Sequence, residues 1–134
     1  METILFFGGL YNVAFALFHT GFWKIFHWKS DLNKISFVNQ GIIQILNIQI
    51  IWYFIMTAVI CFMFPTELLN TELGNWFLLG TSFFWLIRTV QQSIFLRANH
   101  VKIHFLTIIF LIGTILYAIP VFFKLRQYAE PNTI

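Results

Sequence analysis

Between Ile4 and Phe123 the chain alternates long apolar blocks with short polar breaks, and the blocks lack the amphipathic rhythm of a water-soluble core. Four blocks, at about 4–23, 41–64, 75–96 and 103–123, each supply roughly the 20 residues needed to cross a hydrocarbon layer of about 30 Å. The breaks are a polar segment over 24–39 with Lys24, Lys29, Asp31 and Lys34, a loop over 66–74 with Glu67 and Glu72, and a very short link over 98–102. Short connections make successive helices antiparallel neighbours. The pattern therefore predicts an all-α integral membrane protein, a single domain over 1–134 of four antiparallel transmembrane helices in an up-down bundle. The first block has neither a basic leader nor a small-residue cleavage site, so it is expected to stay as a spanning helix. Gly8 and Gly9 suit close helix contact there. Pro120 falls in the last turn of the fourth span, where a kink is tolerated.

Composition agrees with this reading. The 134 residues are 59% hydrophobic and 10% charged, whereas soluble domains carry roughly 25% charged residues. The net charge of +3 does not point to nucleic acid, because the basic residues are few and scattered at span ends. They serve orientation better. Lys24, Lys29, Lys34, Arg97 and Lys102 would share one side, and Lys124 and Arg126 the other, so the positive-inside rule puts the first group in the cytoplasm and both termini outside. Trp23 and Trp28 at one boundary and Trp76 at the other match an aromatic belt, with His27 beside Trp28 at the interface. Cys61 is the sole cysteine, which excludes an intrachain disulfide and a cysteine-based metal site.

Helical spacing gathers the polar residues within the spans into stripes. Asn12, His19 and Trp23 share a face of the first span, continued by Gly8, and Gln40, Gln44 and Asn47 share a face of the second. Thr81, Arg88 and Gln92 share a face of the third, with Trp85 and Gln91 flanking, and His100, His104 and Thr107 a face of the fourth. Nearly all lie in the expected cytoplasmic half, from about the midplane to the inner interface. Lipid cannot satisfy them, so they are expected to face one another. For the amides, a seam of interhelical hydrogen bonds worth about 0.6 kcal/mol each is the usual role. Gln49 lies about 180° from the Gln44–Asn47 stripe and hints at oligomerisation.

Arg88 stands apart. It lies less than one helical turn past the middle of its block, where a charge costs at least about 2.5–3.5 kcal/mol. None of the acids Glu2, Asp31, Glu67, Glu72 and Glu130 lies within a span. An ionisable residue in a span is a functional candidate, and water, an anionic ligand, a lipid headgroup or an acid on a partner protein could balance this one. The candidate ligand-binding set is Arg88, His19, Asn12, Gln44, Asn47, Gln91, Gln92, Trp85 and His104. His100 and His104, four residues apart, could share a metal, and His19 with His104 is the one pair that would suit a b-type haem. Interfacial histidines among headgroups are the commoner situation, so no cofactor is predicted.

Three functional readings follow. The first is a bundle with a polar, cationic pocket in its cytoplasmic half that binds or transports an anionic or acid-headed amphipathic ligand, a small molecule or a lipid. The second is an accessory or assembly subunit, as a homo-oligomer or in a larger membrane complex. The third is a histidine-ligated haem or metal redox protein. A hydrolase is not expected, because no Ser-His-acid set can be placed and the spans hold no acid for proton transfer. The architecture resembles small bacterial four-helix membrane proteins in general, which points to a bacterial inner membrane. Small multidrug transporters are similar in length but carry a glutamate in their first span, and this chain has none there.

Overall fold

The computed structural model describes residues 1–96 and 101–129. Helix α1 runs over Glu2–Thr20, α2 over Phe22–Ile25 and α3 over Trp28–Asp31, followed by a 3₁₀ turn at Leu32–Lys34. Helix α4 covers Phe37–Met63, α5 Pro65–Asn70, α6 Glu72–Phe95 and α7 Val101–Ala129. Among the described residues there is no strand. Three helices are long and apolar enough to cross a membrane: α1, α4 and the Val101–Arg126 part of α7. Their outward positions are apolar too. Leu17, Phe37, Val38 and Val101 stand 65–87% exposed, a surface suited to hydrocarbon and costly in water.

Helix α6 is long enough at 24 residues, about 36 Å, but less apolar. Glu72, Asn75, Arg88, Gln91 and Gln92 lower its hydropathy, and its buried stripe of Gly74, Leu78, Thr81, Trp85, Thr89 and Gln92, with Ser82 beside it, places further polar groups where a soluble helix would carry leucine.

The element ends differ from those expected. Helix α4 begins at Phe37, four residues before the apolar block, because polar Asn39 and Gln40 make the same backbone bonds as apolar residues; Gln40 N–H donates to the Ser36 carbonyl at 3.0 Å. The segments expected as loops are partly helical. Pro65 starts α5 at a position where its missing N–H has no helical acceptor to satisfy. Thr71 caps α6 with its hydroxyl, which accepts from Gly74 N–H at 2.9 Å, and Glu72 sits in the first turn where the helix dipole favours an acid. Pro120 is interior to α7, which continues past it to Ala129, so it does not mark the last turn. Arg97, His100 and Glu130 lie outside the described residues.

Two compact units divide the chain: residues 9–63, and residues 1–8 with 64–134. In the first, Phe15 packs on Phe54 with ring centroids 5.6 Å apart, and further down α1 His19 meets Asn47, further up α4. That register makes the two helices an antiparallel hairpin. In the second unit, Ser82 Oγ donates to the Thr114 carbonyl at 2.8 Å and Trp85 stacks on Phe110 at 5.8 Å, so α6 and α7 are likewise antiparallel. Tyr117, fully buried on α7, donates its hydroxyl to the Gly8 carbonyl at 2.8 Å. A Cβ on Gly8 would meet that hydroxyl at 3.0 Å, so glycine lets the two approach without displacing Tyr117. Among the described residues, most of the span threonines satisfy themselves, the buried Thr57 excepted. Thr81, Thr89, Thr107 and Thr114 each donate to the carbonyl one turn back, so these four hydroxyls need no partner from another helix.

Candidate functional site

In the unit of residues 9–63, the end of the α1–α4 hairpin is built from polar groups in a fixed order. His19 Nδ1–H donates to Asn47 Oδ1 at 2.9 Å, while Asn47 Nδ2 donates to the His19 carbonyl at 3.1 Å. Asn47 is 5% exposed, so both halves of its amide are used where water is scarce. The His19 ring is held between Phe22, stacked at 4.1 Å, and the edge of Phe54 at 5.4 Å.

Beyond this pair, Gly21 ends α1 and α2 follows almost in line. The chain then turns sharply at His27, whose φ of 50° and ψ of 37° are left-handed. A residue with a Cβ pays for that conformation, and here it folds Trp28 back onto Trp23, with centroids 5.3 Å apart. Trp23 Nε1 donates to Gln44 Oε1 at 3.3 Å, and Gln44 Nε2 donates to the Gln40 carbonyl at 3.2 Å. Gln40 Nε2 reaches Asn33 Oδ1 at 3.4 Å, and Asn33 Nδ2 donates to the Lys29 carbonyl at 2.9 Å.

These residues line an open groove of about 450 Å³, completed by Lys24, Trp28 and Leu32. The amides of its wall are occupied with one another, so they act as scaffold. The charges are not balanced. Lys34 is held by Asp31 at 2.8 Å, and its ammonium keeps the Asp31 carboxyl below the usual carboxylate range, first through the hydrogen bond and then through charge. Lys24 and Lys29 have no carboxylate partner among the described residues. The groove thus presents two uncompensated ammonium groups beside two indole rings.

Arg88, Trp85 and Gln92 belong to the other unit. The Arg88 guanidinium lies 4.8 Å from the centroid of the Phe110 ring, whose neighbour is the buried Trp85. A desolvated cation–π contact contributes up to about 2 kcal/mol. Phe110 thus gives the Arg88 charge a partner within its own unit. Gln92 is 1% exposed and its amide makes no hydrogen bond among the described residues. Gln91 is exposed on α6, and His104 is exposed on α7; neither faces a protein interior, because the buried stripes of their helices run through Trp85–Gln92 and Phe110–Tyr117. Asn12 is fully buried. Gln49 is exposed, as its position opposite Gln44 predicts.

Of the expected set, the structure therefore joins His19 to Asn47 in one unit, where Gln44 accepts from Trp23, a residue outside the set, and groups Trp85, Arg88 and Gln92 on α6 in the other. Among the described residues no three His, Cys, Asp or Glu side chains converge as a metal site. Sequence reasoning missed Phe110, Lys24, Lys29 and Asn33 as site residues. The alternation of aromatic and basic residues from Phe22 to Lys29 was the available signal for the groove. For Phe110, the signal was its position about as far beyond the 98–102 link as Arg88 lies before it. Comparison with family models, curated proteins and solved structures finds no match to this chain.

Proposed function

We propose that this chain is a four-span membrane protein that binds an acid-headed amphiphile in the Trp23–Lys29 groove. In this reading α6 is the fourth span of an up-down bundle, its buried polar stripe and the Arg88–Phe110 contact accounting for its lower hydropathy. The groove end, with Lys24, Lys29 and Lys34, lies on the cytoplasmic side of a bacterial inner membrane, and both termini lie outside. Cysteine introduced at Asn33 should then resist an impermeant external thiol reagent in intact cells, and cysteine at Asn70 should react; the reverse pattern would overturn the orientation. Cys61 is buried and need not be removed for this measurement.

One observation carries the reading: Lys24 and Lys29 are uncompensated beside Trp23 and Trp28, at the end of helices long and apolar enough to span. Tryptophan and lysine have complementary uses at headgroup depth, the ring at the apolar boundary and the ammonium on the acid. Each lysine near an anionic headgroup contributes about 1 kcal/mol. The double variant Lys24→Gln/Lys29→Gln should therefore lower retention of an acid-headed amphiphile by roughly 30-fold. Native mass spectrometry of the detergent-purified protein tests this. Equal retention by wild type and variant would overturn the proposal. The lysine side chains are exposed, so the variant should fold as the wild type does.

A further inference from the structure

A second concavity lies in the same unit, of about 220 Å³, bounded by Val13, Ala16, Leu17 and Thr20 on α1 and by Ile51, Ile55, Ala58, Val59 and Phe62 on α4. Apart from the Thr20 side chain it is lined by hydrocarbon and aromatic groups. It exists because Ala16 and Ala58, both buried, stand where larger residues would fill the space. Phe62, whose ring lies over Gly9, closes its far end.

Helical spacing relates this hollow to the charged groove. On α4, Gln44, Ile51 and Ala58 recur at sevens, and Ile55 and Phe62 fall on the same stripe; on α1, Val13, Ala16 and Thr20 lead into Trp23 and Lys24. Both hollows thus open on one face of one hairpin, in order along its axis. Gln44 and Ile51 are separated by about 10 Å of helix. The headgroup zone of a bilayer leaflet is about 5–8 Å deep before hydrocarbon begins. A ligand with its acid at the lysines would enter the apolar hollow at the depth where a lipid's acyl chain starts.

We infer that the two hollows form one site for an anionic phospholipid of the surrounding bilayer, its phosphate at Lys24 and Lys29 and an acyl chain along Ala16, Ile55, Ala58 and Val59. This inference rests on the groove reading above and adds the tail. A short-chain acid with the same head meets only half of the site, and a zwitterionic lipid of the same chain length cancels its own charge at the lysines.

The test uses full-length protein in detergent with three probes: dioleoyl phosphatidylglycerol, dihexanoyl phosphatidylglycerol and dioleoyl phosphatidylcholine. Val59→Phe fills the hollow from a half-exposed position, and Met56→Phe at similar depth, outside the lining, is its control. Retention is read by native mass spectrometry, with melting curves to confirm that both variants fold. Val59→Phe should lower retention of the dioleoyl anionic lipid about tenfold and leave the dihexanoyl probe unchanged. Met56→Phe should change neither, and the choline lipid should be retained weakly throughout. If Val59→Phe matches wild type while Lys24→Gln/Lys29→Gln loses both anionic probes, the tail assignment is overturned and the headgroup reading stands. If the lysine variant loses neither probe, both are overturned.

Discussion

Asn47 contacts His19 twice, accepting from the imidazole Nδ1–H and donating to the same residue's carbonyl. One amide thereby fixes both the tautomer of His19 and the position of its backbone, and it does so at the level where the apolar hairpin gives way to the polar groove. Any leucine at residue 47 would leave the His19 Nδ1–H and carbonyl to find other partners. Asn47→Leu should lower stability by about 1–2 kcal/mol. Gln49→Leu, on the exposed side of the same helix, should be neutral or stabilising. Melting in detergent measures both, and equal effects would show that the pair is incidental.

Arg88 and Phe110 should be energetically coupled. A double-mutant cycle with Arg88→Leu and Phe110→Leu is expected to give about 1–2 kcal/mol of interaction. Arg88→Leu alone should be close to neutral, since it removes a charge that is costly to desolvate together with the contact that offsets it. Additive losses would mean that the ring does not hold the guanidinium.

Glycines differ in what a Cβ would meet, and at Gly74 it would meet backbone rather than a side chain that can turn away. A Cβ on Gly74 would run into the backbone carbonyls of Leu68 and Glu67, which cannot move without opening the α5–α6 turn. Gly74→Ala should cost about 3 kcal/mol or more. Gly41 and Gly80 have nothing within 4 Å of the same position, and alanine there should stabilise its helix by about 0.5–1 kcal/mol. Thermal melting of the three variants would rank them, and a tolerated Gly74→Ala would contradict the turn geometry.

The Asp31–Lys34 pair is exposed, so its main effect is on charge near the groove. Because Lys34 depresses the Asp31 pKa, the pair's small stabilisation is present above the ordinary carboxylate range and is lost as pH falls through the lower folded value. Asp31→Asn should leave melting unchanged at neutral pH. It also frees the ammonium of Lys34, next in sequence to Asn33 of the groove, so retention of an anionic lipid should rise at low salt. The gain should fade well above 0.1 M salt, where screening acts within about 10 Å. A gain that persists at high salt would point to a direct contact instead.

What the chain determines by itself is set by quantities read along one dimension. Block length and polar breaks marked the apolar segments of α1, α4 and α7, and the helical period placed Gln44 and Asn47 on one stripe, with His19 and Trp23 on another. Gly8 and Gly9 announced close contacts that Tyr117 and Phe62 make. Helix ends were less legible. Backbone hydrogen bonding carries a helix through polar residues as readily as apolar ones, so α4 starts early and α7 runs past Pro120. Tertiary structure decided whatever depends on register between helices or on one unusual dihedral. Phe110 under Arg88 requires the register of the α6–α7 hairpin. The groove requires the left-handed turn at His27, which folds Trp28 onto Trp23 and leaves two lysines beside them. A hydrophobic period specifies which side of a helix is buried, but it carries no information about which residue of another helix meets it.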